Sequence, residues 1–256
     1  MAGEIAVLLG PTLPLAEART HLDARYLPPA EQGSVFRAVL EHRPAAVAII
    51  DGAFAQRPAV RHKEILWAMS RGVAMHGAAS MGALRAAELA PFGMVGHGFI
   101  YRWYRRTPLA DDEEVAVAMA PPELGSAPLG EALVNMRLTL RLAERRGILD
   151  AALRATLERL ARRRHFLERS YPALLADARE TASDAATPAA IDAFERWLPG
   201  NALDRKRADA IALLRHLARA GPTAPPAPRF PFELTEAWAA DLEAAGQWDD
   251  YLAHAG

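Results

Sequence analysis

Cysteine is absent from the 256 residues, which removes disulfides, thiolate nucleophiles and cysteine-ligated zinc together. Lysine is nearly absent: Lys63 and Lys206 are the only two, so almost all positive charge is arginine. No apolar run reaches the ~20 residues of a membrane span, and Met1 to Leu9 lacks the basic flank and long apolar centre of a signal peptide. The cytoplasm is the expected compartment. A formal net charge of −1 offers no broad basic field to phosphates, so a general nucleic-acid binder is not expected. The arginines between Arg159 and Arg169 are few and mixed with glutamates. What the chain does have is 51% hydrophobic residues, enough for a core in one large domain or two modest ones.

An arginine keeps its proton inside a protein, whereas a buried lysine can lose it. A lysine retained in an arginine-rich chain is therefore a candidate for work that needs a neutral amine, with a plain surface lysine as the alternative. Lys206, within Asp204-Arg205-Lys206-Arg207, is read as a surface lysine.

Three β-then-α units follow one another. Residues 5–9 form an apolar run closed by Gly10-Pro11-Thr12, 46–50 a second closed by Asp51-Gly52, and 73–76 a third that enters Gly77-Ala78-Ala79-Ser80-Met81-Gly82. Helical periodicity fills the intervals at 14–22, 34–41, 60–71 and 81–89, with Pro58 placed as a first helical residue and Tyr26-Leu27-Pro28-Pro29 as a break. The alternation predicts an α/β fold: a small, mostly parallel sheet with flanking helices in the N-terminal half, right-handed crossovers, and a ligand site at the carboxyl edge of the strands. Gly93, Gly96 and Gly98 are read as a mobile loop before a short helix at 99–104. From Leu129 onward strand signals stop and apolar residues recur at helical spacing, so the C-terminal half is predicted all-helical, with a Pro-rich linker at 221–228 and a last helix from 235 to about 252. Residues 1–125 would form the hydrolase-like domain that carries the site, and 126–256 a helical domain suited to partner docking.

The candidate chemistry concentrates around Ser80, a lone serine on a turn of tiny residues between a strand and a helix. Ala78-x-Ser80-x-Gly82 meets the nucleophile-elbow pattern with alanine for its first glycine. A serine nucleophile needs a base. Lys63 sits ~7 Å along a helix that starts near Pro58 and leans back toward the carboxyl edge, and Val60, Ile65, Leu66 and Met69 would desolvate it. His62, Glu64 and His76 are the other nearby candidates. The Met81 N–H, at a helix start, suits an oxyanion, with Thr12 of the Gly10 loop as a second donor. Asp51 is placed to orient a base or bind a substrate donor. Arg85 and Glu88 lie at i and i+3, close enough to pair, with Arg85 alternatively holding a substrate carboxylate. Beside these stand plainer roles: Ser80 as a helix cap, Lys63 in a surface ion pair, Asp51 as a loop acid. The run Asp111-Asp112-Glu113-Glu114 is a solvated acidic face, with a divalent cation as the alternative. No metal or cofactor is assigned, and a phosphate-binding use of Gly77 to Gly82 is disfavoured because no P-loop lysine follows the glycines.

These residues carry a resemblance. Gly10-Pro11-Thr12, Ile50-Asp51-Gly52-x-Phe54, Val60-x-His62-Lys63-Glu64-Ile65-Leu66-Trp67-Ala68, Gly77 through Leu89, Phe92-Gly93-Met94-x-Gly96-x-Gly98 and Asp111-Asp112-Glu113-Glu114-Val115-Ala116 together resemble the TfuA-like proteins, which accompany YcaO enzymes in peptide backbone thioamidation. The resemblance covers most of residues 5–120 and the helical half only weakly. It implies a serine–lysine hydrolase-like site that releases sulfide from a thiocarboxylated, ubiquitin-like sulfur carrier of the ThiS kind and delivers it to a YcaO partner. Ser80 would be the nucleophile and Lys63 the base, and a carrier tail ending in glycine would thread over the Gly-rich edge, where small residues permit close backbone approach. The rival expectation is a non-catalytic adaptor that brings carrier and YcaO enzyme together.

Overall fold

The computed structural model describes residues 4–54, 57–107, 111–121, 125–182, 186–221 and 230–254; most of the predicted Pro-rich linker lies outside them. The chain divides into two compact units, residues 1–109 with 207–256, and residues 110–206. The periodicity had placed one boundary near 125, and the chain instead leaves the first unit and returns to it.

The first unit is built on a five-stranded parallel sheet, β1 (Ile5–Leu8), β2 (Arg25–Leu27), β3 (Ala46–Ile49), β4 (Ala74–Ala78) and β5 (Val95–His97), in the order β2-β1-β3-β4-β5. Strands β1, β3 and β4 are buried throughout, as apolar runs covered on both faces must be. Both edge strands fall where sequence suggested a break and a mobile loop, because three residues are too few to show a period. Helices α1 (Leu15–His21), α2 (Ser34–His42), α3 (His62–Ser70), α4 (Met81–Leu89) and α5 (Gly98–Arg106) alternate with or follow the strands. Helix α3 starts at His62, not Pro58. The Glu64 carboxylate reaches back to the Arg61 N–H (2.8 Å) and fixes the start there.

Right-handed crossovers send α1 to one face on the way to β2, and α2, α3 and α4 to the other on the way back across the sheet. The α1 face would therefore be half bare.

The second unit supplies α6 (Leu133–Arg145), α7 (Ala151–Arg163), α8 (Tyr171–Glu180) and α9 (Ala186–Trp197), packed around Leu133, Met136, Leu140, Leu157, Leu174, Ile191 and Phe194. Arg169 is fully buried in it and donates to the carbonyls of Ala161, Arg164 and Glu113 and to the Glu113 carboxylate. The acidic run is divided: Asp111 and Asp112 are exposed, Asp111 capping a 3₁₀ turn at Asp112–Glu114, while Glu113 meets Arg169 and buried Glu114 takes two hydrogen bonds from Arg137. Among the described residues no group of three His, Cys, Asp or Glu is placed to hold a metal ion.

The returning chain completes the sheet unit. In α10 (Arg205–Ala220), Ala210, Leu213, Leu214 and Leu217 pack with Ile5, Val7, Ala48 and Ala78 on the α1 face. Helices α11 (Glu236–Ala244) and α12 (Trp248–His254) replace the single predicted last helix, separated at Gly246, whose φ of +66° suits glycine. They place Trp238, Leu242 and Tyr251 against Phe36 and Trp67 on the other face. Lys206, expected at the surface, is 5% exposed, and its Nζ donates to Val115 O at 2.8 Å. No helix among the described residues is long and apolar enough to cross a membrane.

Because α10 is part of the sheet's core, Leu214→Ala is expected to destabilise the α/β unit by about 3 kcal/mol, the cost of a buried large-to-small change, and not to behave as a lesion of a separate helical half. Urea unfolding followed by tryptophan fluorescence checks this.

Candidate functional site

A doubly wound sheet of this strand order opens a crevice outside the carboxyl ends of β1 and β3, where the direction of winding reverses. Asp51 ties that crevice shut. Its carboxylate, 1% exposed, accepts the N–H groups of Gly10 (2.9 Å) and Thr12 (3.1 Å) and the Thr12 hydroxyl (2.5 Å). Asp51 therefore holds the β1 loop instead of orienting a base, and the Thr12 N–H proposed for an oxyanion already has an acceptor.

The neighbouring turn, between β4 and α4, is tight. Ser80 N–H donates to Ala78 O at 2.8 Å, closing a three-residue turn about Ala79, which sits at φ +66°. A left-handed alanine costs about 1–2 kcal/mol, and such strain persists only where the surroundings impose it. Two glycines impose it. A Cβ on Gly77 would stand 2.0 Å from Gly82 O, and one on Gly82 would stand 1.7 Å from Ile49 O. The start of α4 is thus pressed against the ends of β3 and β4, with Gly82 N–H donating to Ile50 O (3.3 Å).

Ser80 is the N-terminal boundary residue of α4, yet its hydroxyl does not cap the helix, so the capping role does not explain it. It is 2% exposed. Met81, the expected oxyanion donor, is the first helical residue, ahead of Gly82 N–H and of Ala83 N–H, which donates to Ser80 O (2.9 Å).

The other named residues distribute around this turn. Lys63 lies in the first turn of α3, at the carboxyl edge of the sheet, but its Nζ donates to Glu233 O at 2.9 Å and lies 5.3 Å from the centre of the Phe232 ring. Glu64, 1% exposed, accepts N–H groups from Gly33 (3.0 Å), Val35 (3.0 Å) and Arg61 (2.8 Å), with Phe36 at 3.4 Å. It fastens the starts of α2 and α3 together, and burial pushes its carboxyl up to about 7 against those donors.

His62, Arg85 and Glu88 form one cluster. His62 Nε2 is 2.8 Å and Arg85 Nη1 2.7 Å from Glu88 Oε2, and Arg85 Nε donates to Val60 O. Burial opposes ionisation of Glu88, but the bonds from His62 and Arg85 prevail and lower its pKa. The cluster lies five to eight residues along α4 from Ser80, about 7–12 Å of helix rise. Arg85 thus holds α4 to the chain ahead of α3, not a substrate carboxylate.

His76 alternates with Met75 on β4 and shares the face of Ala74 and Ala78, which carries α1 and α10; α4 packs on the opposite face. Its Nδ1 is 3.1 Å from His97 Nε2, and the His97 ring centre is 4.7 Å from that of His216 of α10, the rings tilted by 46°. Sequence reasoning missed His97 and His216, which lie 21 and 140 positions from His76 and meet only in the fold. Burial, reinforced by the neighbouring histidines, lowers both His76 and His97 to about 4.

These features define a doubly wound α/β protein with a serine on a strained strand-to-helix turn at the sheet's carboxyl edge. Residues 51–170, a little under half of the chain, match the family model for TfuA-like protein, and that segment holds Lys63, Ser80 and the acidic run. No curated protein matches the chain.

Gly82→Ala is expected to cost about 3 kcal/mol, since its Cβ would meet backbone that no rotamer change can relieve. Gly72→Ala, at φ +81° in open space, is expected to cost about 1 kcal/mol; urea melts of the two variants test the contrast. For His76, a folded pKa near 4 against 6.5 unfolded means that the unfolded chain binds more protons between those values. Stability is thus full above about 6.5 and lost as pH falls toward 4. Wild type should lose up to about 3 kcal/mol more than His76→Met across that window, read from urea midpoints at each pH; the opposing titration of Glu64 is common to both.

Proposed function

We propose that this protein delivers sulfur in YcaO-associated peptide backbone thioamidation by releasing sulfide from a thiocarboxylated, ThiS-like carrier at Ser80. The observation that carries the reading is the strained turn: Gly77 and Gly82 force the backbone into a shape that places a non-capping serine beside a helix N-terminus, within the segment that matches the family.

In the reaction, Ser80 Oγ attacks the thiocarboxylate carbon while a neutral Lys63 amine takes the hydroxyl proton. The Met81 N–H stabilises the oxyanion. Collapse of the tetrahedral intermediate expels sulfide and leaves an acyl-serine; water then adds, and the carrier departs as a carboxylate with Ser80 regenerated. Two movements precede this chemistry: Ser80 must become accessible, and Lys63 must leave Glu233 O.

Those same two facts favour a second reading, an adaptor that binds carrier and YcaO enzyme without catalysis. The helical unit offers a surface for it. A cavity of about 580 Å³ is lined by α7, α8 and α9, with Arg159 and Arg163 one turn apart; Arg137, Arg154, Arg164 and Arg179 all have carboxylate partners.

Sulfide release from purified thiocarboxylated carrier separates the two. Ser80→Ala should fall to background and Lys63→Ala by at least about 100-fold, the usual contribution of a general base. Full activity in both variants rejects the hydrolase. Thioamidation that survives Ser80→Ala but is lost in Arg159→Glu/Arg163→Glu selects the adaptor.

A further inference from the structure

The amine of Lys63 is held by a stretch 170 residues further along the chain, in the same compact unit. Residues 230–234 have neither helix nor strand of their own. Two aromatic contacts anchor them: Phe230 meets Phe92 edge to face at 5.5 Å, and Phe232 meets Trp238 of the core in the same way at 5.3 Å. The Glu233 carbonyl oxygen, next to the second anchor, is 2.9 Å from Nζ, and the centre of the Phe232 ring is 5.3 Å from it. A carbonyl oxygen and an aromatic face both bind an ammonium more strongly than a neutral amine. While it lasts, the contact occupies the Lys63 amine.

We propose that residues 230–234 are an autoinhibitory clasp on Lys63: Phe232 and the Glu233 carbonyl hold its amine away from Ser80, and it becomes available as a base when the clasp lifts. The inference rests on Lys63 serving as the base for Ser80. Opening needs no rearrangement of the sheet. Lys63 sits in the first turn of α3, and the crossover from β3 to β4 puts that turn at the carboxyl edge where Ser80 lies. Once the carbonyl and ring withdraw, the Lys63 side chain is free to swing toward Ser80 and serve it.

The near absence of lysine makes the clasp directly readable. Acylation by an amine-reactive ester, followed by mass spectrometry of the full-length protein's peptides, reports Lys63, with buried Lys206 as an internal gauge of general opening. Phe232→Ala should raise the Lys63 labelling rate about tenfold, as expected on losing a ring face and loosening one charge-assisted hydrogen bond. Phe232→Tyr, which keeps the ring, should restore wild-type protection. No rise at Lys63, or equal rises at Lys63 and Lys206, overturns the clasp. Sulfide release reads the underlying function separately. An unchanged Lys63 label in Phe232→Ala, with release still dependent on Ser80 and Lys63, removes the clasp alone. Release indifferent to Ser80→Ala and Lys63→Ala removes the base assignment whatever the label shows.

Discussion

The contact between the start of α4 and the carboxyl ends of β3 and β4 constrains everything around the site. Gly77 and Gly82 have no side chain because backbone oxygens occupy the space, 2.0 and 1.7 Å from where each Cβ would be. That approach fixes the left-handed Ala79, which in turn sets the direction of Ser80. Interiors this dense do not deform continuously, so the serine's placement belongs to the fold and not to a loop free to adjust.

Around this turn the carboxylates serve as fasteners. Asp51 closes the β1 loop, Glu64 joins α2 to α3, and Glu88 links His62 to Arg85. Each meets donors or cations that a buried or half-buried charge requires. A rigid frame of this kind suits a site whose parts are brought into play by a small motion at one side chain. In the proposed reaction Lys63 is that side chain, since it bonds not to the frame but to the irregular stretch at Glu233.

Particular residues mark where sequence reasoning reached and where it stopped. The apolar runs of β1, β3 and β4 were legible because a parallel strand buried on both faces leaves a continuous signal, and the turn at Ser80 because tiny residues cluster only where backbone must pack closely. Strands β2 and β5 were too short to show a period. The histidines at 76, 97 and 216 and the clasp on Lys63 join distant positions that no local pattern connects. Lys206 misled in an instructive way: its charged neighbours in sequence point elsewhere in space, and it is the buried lysine of the two.

The amino-acid sequence by itself determined the α/β class, the helical character of the second half and the serine turn, because these follow from periodicity and from residue size within a few positions. Tertiary structure alone decided that α10, α11 and α12 complete the sheet's two faces and that Asp51 and Thr12 bond to each other. It also decided that the lysine nearest the serine turn is held by a carbonyl near the chain's end. The reason is physical: an amphipathic helix records that it must bury one face, and a polar side chain that it must find a partner, but neither records which partner until the chain has closed on itself.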